Sequence, residues 1–588
     1  MGRRPWHSFS TIGLLLGTLF FAASLTPTLL PRSFLTQGVL SGCSLAAGYG
    51  IGVFGGWLWA YMEVPHRKDR LLRAAKLAAA TGCTVVVISF IWQAARWQNS
   101  IRELMELKPV DTAHPFEVAL IALAVFAILL AVARLFQLTL RFVAGRVSRF
   151  LPRRVSNVLG TIAAAALFWS VISGVLFRVA LRIADASFQE YDELIEPETE
   201  PPTDPRKTGS SASLLVWEKL GRAGREFISS GPRREDISAF SGREGLEPVR
   251  VYVGLRSAAT PEARAKLALE ELKRVGGFER SVLIVVTPTG TGWVDPAAID
   301  SVEYLHDGAV ASVALQYSYL ASWLSLLVEP GYGADAARAL FNEIYGYWIT
   351  LLKDNRPRLY LHGLSLGAMN SEQSTDLIEV LGDPFAGALW SGPPYSSRLW
   401  RFLTERRNPG SPAWLPRFRD GSFARFLNQH GEAAGADSAP SAAWGPMRVV
   451  YLQYASDPVT FFDYRSFYRE PDWMLPPRGP DVSPQLRWYP VVTLLQLTLD
   501  MLMATTAPIG RGHVYAPVHY IDAWMRCSRL APAGDHAAEA APLQALVREL
   551  CFQDQPRRRR TLERRRPTRP YRHVTASRRS GRRGGSSS

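Results

Sequence analysis

Two patterns of hydrophobic and polar positions divide the chain of 588 residues. Before about residue 182, long apolar runs alternate with short polar loops, and about 20 apolar residues are enough for a helix to cross a hydrocarbon core. From about residue 249, short β-branched runs alternate with helical periodicity, which is typical of a parallel sheet flanked by helices. The patterns predict a multi-domain protein, with an N-terminal all-α transmembrane bundle followed by an α/β domain that has a mostly parallel sheet.

The apolar runs predict about five transmembrane helices. Arg134 interrupts the fourth run, near an end from which its side chain could reach the interface. Lys and Arg collect before the first run, between the second and third, and between the fourth and fifth, so the positive-inside rule places the N-terminus in the cytoplasm. Five crossings would place everything after residue 182 outside the cytoplasm. The predicted spans are residues 11–30, 39–62, 77–95, 117–140 and 155–177.

Composition changes abruptly after the last apolar run. The stretch "DASFQEYDELIEPETEPPTDPRKTGSSAS" is acidic and rich in proline, and because such a composition does not form a core it predicts a linker. The expected organisation is a transmembrane helical domain at 1–182, an acidic linker at 183–248, the α/β domain at 249–532 and a C-terminal tail at 533–588.

Most of the net charge of +15 lies in the tail. Residues 557–583 hold thirteen arginines and one acidic residue, Glu563, so we expect the chain to be disordered from about residue 556. A tail of this charge could contact anionic lipid, and no specific nucleic-acid partner is expected. Cys527 and Cys551 lie near the end of the globular part and could form a disulfide outside the cytoplasm.

Six short runs predict the strands of the sheet, and four stretches between them predict helices. Ligands of such sheets bind at the carboxyl ends of the strands, so the residues just after each run are the candidates for chemistry. The predicted strands are 249–255, 281–287, 310–317, 358–363, 387–392 and 447–455. The predicted helices are 261–275, 295–305, 333–353 and 366–381.

The fourth predicted strand runs into "YLHGLSLGAM", which contains Gly-x-Ser-x-Gly around Ser365. Gly363 and Gly367 bracket the serine, and the strand before it and the helix after it are the context of a nucleophile elbow. The alternative is that Ser365 is only the N-cap of the helix in a plain α/β turn. His362 adjoins the elbow and is predicted to line a pocket or to hydrogen-bond there.

A serine nucleophile needs a general base and an orienting acid, which follow in this fold in the order Ser, Asp or Glu, His. Asp457 lies one turn beyond the sixth predicted strand, and Asp463 is the alternative acid. His513 lies in a glycine-bounded loop just before a helix and is the predicted base, whereas His519 is the alternative and is expected to pack on that helix. No Cys/His metal spacing is present, so neither a metal nor another cofactor is expected.

An oxyanion hole needs two main-chain donors near the nucleophile. One is predicted to be the N–H of Leu366, and the other the N–H of Thr291 in "PTGTGW", the loop after the second strand. Gly290 and Gly292 let the backbone of this loop approach a substrate, and with Trp293 they form a predicted pocket wall. The loop lacks the Lys-Ser/Thr ending of a phosphate-binding P-loop.

With these motifs in view, the chain resembles a bacterial family of membrane-anchored α/β-hydrolases that have a helical N-terminal domain and no defined substrate. The resemblance covers about residues 10–530 and implies a serine hydrolase. It is carried by the motifs "SLTPTLLPR", "TPTGTGW", "LHGLSLGAMNSE", "YASDPVTFF" and "GHVYAPVHY".

The expected function is therefore hydrolysis or acyl transfer by a Ser-His-Asp triad, on an ester of a lipid or envelope component. Insertions at 393–445 and 463–490 mix aromatic residues with Arg and Pro, which suits an amphiphilic substrate. The expected location is a bacterial inner membrane, with the bilayer as partner and the catalytic domain extracytoplasmic. The alternatives are a non-catalytic receptor or scaffold, and a transporter that works through its helices; few ionisable residues in the spans count against the transporter.

Overall fold

The computed structural model describes most of the chain up to residue 528. The Arg-rich tail and Cys551 lie outside the described residues. Residues 1–533 form one unit and residues 534–588 another, so the predicted membrane and α/β regions share a unit. The described residues are 9–63, 70–150, 152–170, 200–320, 324, 331–376, 380–432 and 441–528.

Helices occur at each of the five predicted apolar positions. Within the described residues, three of these helices are long and apolar enough to cross a membrane, so the prediction of five spans is not confirmed. The helix that contains Arg134 has the most apolar 18-residue stretch of the three, with a mean hydropathy of 2.8, and it continues past Arg134 to Val147. The helices are α1 (Thr11–Ser24), α2 (Phe34–Tyr61), α3 (Arg70–Leu104), α4 (Pro115–Val147) and α5 (Arg153–Trp169).

The first helix is shorter than its predicted span. Its N-cap is Ser10, whose hydroxyl oxygen accepts from Gly13 N, and the helix ends at Ser24, before the prolines of "LTPTLLPRS". This segment, residues 25–33, leads to α2, where Ser33 is the N-cap. Most of it is buried, because it turns into the α/β domain and does not continue along the helix axis.

The predicted linker differs from the structure in its second half. Residues from 200 onward are folded, and they include helices α6 (Gly221–Ser229) and α7 (Arg234–Ser241). Trp217 and Phe227 are buried in the core of the α/β domain, and Leu214 N donates to Glu271 Oε2 at 3.0 Å. The composition of the whole stretch is acidic and rich in proline, and it therefore predicts no core. The short apolar segment within it nevertheless packs onto the domain. Residues 183–199 lie outside the described part.

An eight-stranded sheet forms the centre of the α/β domain, with strand order β1-β3-β2-β4-β5-β8-β6-β7. All pairs are parallel except β6 with β7, and the six predicted strands are confirmed. Strands β6 and β7 lie inside the predicted insertion at 393–445. They are not predicted because their apolar residues are few and are separated by polar ones. The strands are β1 (Val249–Val253), β2 (Val282–Thr287), β3 (Val310–Leu315), β4 (Arg358–Leu364), β5 (Gly387–Ser391), β6 (Ala424–Asn428), β7 (Gly431–Glu432) and β8 (Arg448–Leu452).

Helices cover both faces of this sheet. His362 packs on Trp524 on one face, whereas Trp390 points to the other face and donates from Nε1 to Ser371 Oγ at 3.0 Å. The helices of this domain are α8 (Pro261–Arg274), α9 (Pro296–Leu305), α10 (Tyr332–Trp348), α11 (Leu366–Glu372), α12 (Arg398–Glu405), α13 (Pro458–Phe461), α14 (Val492–Leu502) and α15 (Pro517–Cys527).

Candidate active site

Ser365 occupies the turn between β4 and α11. Its backbone has φ 58° and ψ −127°, which an L-residue seldom adopts, so the turn holds it under strain. Its N–H donates to the carbonyl oxygen of Ser391, the last residue of β5, at 2.9 Å. A serine in such a conformation after a buried strand has the geometry of a nucleophile elbow.

The two glycines of the motif are required by close backbone contacts. A Cβ atom on Gly363 would lie 2.5 Å from the carbonyl carbon and oxygen of Gly367. A Cβ atom on Gly367 would lie 2.2 Å from the carbonyl oxygen of Thr287, at the end of β2. Larger residues would push α11 away from the sheet, so Gly-x-Ser-x-Gly here is a packing requirement and not a chance match.

Asp457 lies beyond the carboxyl end of β8, as predicted, and is fully buried. It is the N-cap of α13, where its Oδ1 accepts from Val459 N at 2.8 Å and from Thr460 N at 3.4 Å. Its Oδ2 accepts from His513 Nδ1 at 2.7 Å and from Tyr515 Oη at 2.7 Å. These four bonds fix the orientation of both carboxylate oxygens.

The bond to Asp457 sets the tautomer of His513. With Nδ1 donating, Nε2 carries the lone pair of a neutral imidazole. Nε2 is buried and has no hydrogen-bond partner among the described residues, so it is available to accept a proton. This is the state that a general base needs.

The end of β5 links this pair to the elbow. Ser391 accepts the backbone bond from Ser365, and the next residue, Gly392, lies against the pair. A Cβ atom on Gly392 would lie 2.7 Å from Cε1 of His513 and 3.0 Å from Oδ2 of Asp457. The structure thus brings Ser365, Asp457 and His513 to neighbouring carboxyl ends of the sheet.

Tyr515 is a site residue that the sequence reasoning missed. Burial and the nearby carboxylate of Asp457 raise the pKa of its phenol, so it stays protonated and donates. Its ring stacks on Tyr454 with centroids 4.4 Å apart. An aromatic residue two positions after the histidine carries no sequence signal of this role, because the contact arises only where the loop returns to β8.

The alternative residues lie elsewhere. His519 Nδ1 bonds to Tyr454 Oη at 2.6 Å, and no bond to Asp457 is observed in the described part of the chain. Asp463 accepts from the backbone and side chain of Arg465 in its own turn. Of the two roles predicted for His362, the hydrogen bond is observed: its ring lies on α15, where it is buried, and its Nδ1 bonds to Leu389 O at 2.8 Å. Burial lowers the pKa of His362 to about 4, so this core histidine is neutral.

The loop after β2 forms a closed turn beside the elbow. Thr289 donates from its N–H and its hydroxyl to Trp293 O, at 2.9 and 3.2 Å. Gly292 N donates back to Thr289 O, and Gly292 O accepts from Tyr252 Oη at 2.7 Å. Thr291 lies at the tip of this turn and is half-buried. The oxyanion role of its N–H and that of Leu366 stays a prediction, as does the pocket role of Gly290.

Two profiles of known families match this chain. The profile of the alpha/beta-hydrolase family matches residues 249–540, and the profile of the alpha/beta-hydrolase family N-terminus matches residues 25–232. The chain belongs to the alpha/beta-hydrolase family. No curated protein and no solved structure matches the chain. Family membership supports a hydrolase domain, and the substrate has to be argued from the site.

In this alpha/beta-hydrolase, Gly392→Ala tests the contact between β5 and the histidine. The residue has φ +51° and no room for a Cβ atom, so we expect the new methyl group to displace the imidazole. Turnover of a soluble ester should fall by about 10-fold or more. Gly382→Ala is the matched control, since a Cβ atom there meets no atom of the described residues within 4 Å. Equal activity of the two variants would contradict the placement of His513.

Proposed function

We propose that this protein is a membrane-anchored serine hydrolase, esterase-like or lipase-like or an acyltransferase, that acts on an ester of a lipid or envelope component. The observation that carries the proposal is the strained Ser365 at the same sheet edge as the buried pair of Asp457 and His513. A receptor or scaffold needs neither the strain nor an imidazole with a buried nitrogen that has no hydrogen-bond partner among the described residues.

The proposed reaction proceeds through an acyl-enzyme. Ser365 Oγ attacks the ester carbonyl carbon while His513 Nε2 takes its proton. The C–O bond to the leaving alcohol then breaks, and the imidazolium returns the proton to that alcohol. Water, or a second alcohol, repeats these steps in reverse and frees the acyl group. Asp457 stays ionised throughout and stabilises the imidazolium, and the N–H groups of Leu366 and Thr291 donate to the oxyanion.

The membrane attachment is supported by exposed apolar surface on the helical region. Trp92 on α3 is 85% exposed and Phe116 on α4 is 87% exposed. Apolar surface on this scale marks contact with a membrane or a partner, and the three long apolar helices favour the membrane. Each crossing moves the chain to the other side of the membrane, so the number of spans decides on which side the hydrolase domain lies.

The extracytoplasmic placement is supported by contacts at one end of the helices. The connection from α1 to α2 bonds to Asp500, and the end of α3 bonds to Arg511, so both connections lie beside the hydrolase domain. The loops rich in Lys and Arg belong to the other ends of these helices, where the positive-inside rule expects the cytoplasm.

An amphiphilic substrate is supported by aromatic side chains near the helices. Tyr464, Phe467 and Tyr468 are all exposed, Tyr468 by 65%, and Val491 N donates to Phe467 O at 2.9 Å. That bond places them beside the start of α14, an apolar helix that packs on α1 and α2. Aromatic residues at this position suit the interface of a bilayer, from which a lipid ester could enter.

The test is labelling of the purified full-length protein with a fluorophosphonate probe, followed by turnover of esters of increasing acyl length. We expect wild-type protein to be labelled and long-chain esters to have the higher kcat/KM, because an amphiphilic site buries more acyl chain. Labelling without chain-length preference would remove the lipid part of the proposal. No labelling of folded wild-type protein would favour the receptor or transporter alternative.

A further inference from the structure

The loop that carries His513 is held by residues from distant parts of the chain. It runs from residue 508 to 515, between α14 and α15, and has no regular secondary structure apart from one isolated bridge. Inside the hydrolase domain, Gly512 N donates to Ser456 Oγ at 2.9 Å, and Ser456 donates in turn to Asp481 Oδ2 at 2.6 Å. These bonds hold one side of the loop next to Asp457.

The helical region holds the other side through Arg511. Its Nε donates to the carbonyl oxygen of Leu104, the last residue of α3, at 2.9 Å. Its Nη2 lies 3.2 Å from Oε1 of Glu106. The last carbonyl groups of a helix have no partner within it, and a cation there also interacts favourably with the helix dipole. Arg511 therefore joins α3 to the residue two positions before the catalytic histidine.

A second contact comes from the buried segment after α1. Leu30 is almost fully buried, and its Cδ2 would lie only 3.2 Å from a Cβ atom on Gly512, so the side chain packs directly on the loop. The segment is fixed by Asp500, whose Oδ2 accepts from Leu29 N at 3.0 Å and whose Oδ1 lies 3.4 Å from Nε of Arg32. Both charged side chains of this pair are fully buried.

We propose that the helical region positions the catalytic histidine, with Arg511 and Leu30 as the positioning residues. This inference rests on the proposed serine hydrolase function. The loop bears glycines at 510 and 512 with left-handed backbone, so its own conformational preferences are weak and outside contacts decide where His513 lies. A displacement of about 1 Å in a reacting group can cost about 100-fold in rate. Activity thus depends on the contact between the helices and the hydrolase domain.

The test compares Arg511→Ala with Arg356→Ala in detergent-solubilised full-length protein. Arg356 is the matched control because it also forms a paired contact, with Asp383 at 2.6 and 2.8 Å. It lies just before β4, at the amino ends of the strands, whereas the site lies at their carboxyl ends. We expect Arg511→Ala to lower kcat for 4-nitrophenyl butyrate, and the rate of fluorophosphonate labelling, by about 10- to 100-fold with little change in KM. Arg511→Lys should restore part of the loss, since an ammonium group can still donate to Leu104 O.

A second variant keeps the proposal testable if Arg511→Ala does not fold. Leu30→Ala leaves the hydrogen bonds of the loop in place and removes only its packing, so we expect a smaller loss of kcat in the same assay. Equal kcat and labelling rates in wild type, Leu30→Ala, Arg511→Ala and Arg356→Ala would overturn the positioning role and leave the proposed function standing. Wild-type protein that is folded yet not labelled would overturn the proposed function itself.

Discussion

Ser365→Ala is expected to lower ester turnover by about 10⁴-fold or more and to abolish labelling by a fluorophosphonate. The reason is that Ser365 is the residue that the strained turn after β4 holds beside the end of β5, next to the pair of Asp457 and His513. Alanine removes only an oxygen atom, so the backbone of the turn and the packing of its glycines stay as they are. The measurement is kcat/KM on a soluble ester, with mass spectrometry of the labelled peptide.

The control is Ser374→Ala, which removes a buried hydroxyl just after α11. Among the described residues, this hydroxyl bonds only to the carbonyl oxygen of Ser371. We expect this variant to keep near wild-type activity. Turnover that persists in Ser365→Ala at the wild-type rate would contradict the nucleophile assignment. In that case Ser365 would be merely the residue that begins α11.

Asp457→Asn is expected to lower kcat by about 10⁴-fold while KM changes little, as in other serine hydrolases whose acid is converted to an amide. Oδ2 of Asp457 accepts from His513 Nδ1, from Tyr515 Oη and from Thr460 Oγ1 at 3.2 Å, while Oδ1 accepts from Val459 N. Asparagine has one oxygen and one NH₂ group in place of the two carboxylate oxygens. The groups that donated to one of those oxygens therefore face the NH₂ group, which is itself a donor. If the NH₂ group faces His513, the imidazole turns to the tautomer whose Nε2 bears hydrogen and accepts no proton.

The control for this change is Asp463→Asn, at the alternative acid that follows six residues later. In the described part of the chain, the carboxylate of Asp463 bonds only within its own turn, to Arg465, so we expect near wild-type kcat. Thermal unfolding of both variants separates a lost carboxylate from a lost fold. A larger loss of kcat in Asp463→Asn than in Asp457→Asn would reverse the assignment of the acid.

Much of the α/β domain could be predicted because its signals are local. Each of the six predicted strands is a run of mostly apolar, often β-branched residues, and a parallel strand that is buried on both faces has to be such a run. The elbow is equally local, since Gly363, Ser365 and Gly367 lie within one turn of chain. Asp457 is predicted by the rule that site residues follow strand ends, whereas His513 is predicted by its glycine-bounded loop just before a helix.

The predictions that differ from the structure depend on contacts between distant residues. The second half of the predicted linker folds because Trp217 and Phe227 meet a core built from β-strands that come later in the chain. For His362 the sequence left two roles open, and the ring contacts α15 because the side of a strand that a residue occupies depends on what packs there. Tyr515 and Gly392 contact the histidine and its acid only after the loop and β5 lie side by side.

By itself, the sequence determined the alternation of strands and helices, the apolar character of the first helices, and the three residue types that a serine hydrolase uses. These follow from short-range patterns, in which a few neighbouring residues specify a conformation. Only the tertiary structure decided which histidine bonds to Asp457. It alone also decided that α3 and the segment after α1 contact the loop of His513. Such contacts join residues about 400 positions apart, for example Leu104 and Arg511, and no local pattern encodes them because their geometry exists only in the folded chain.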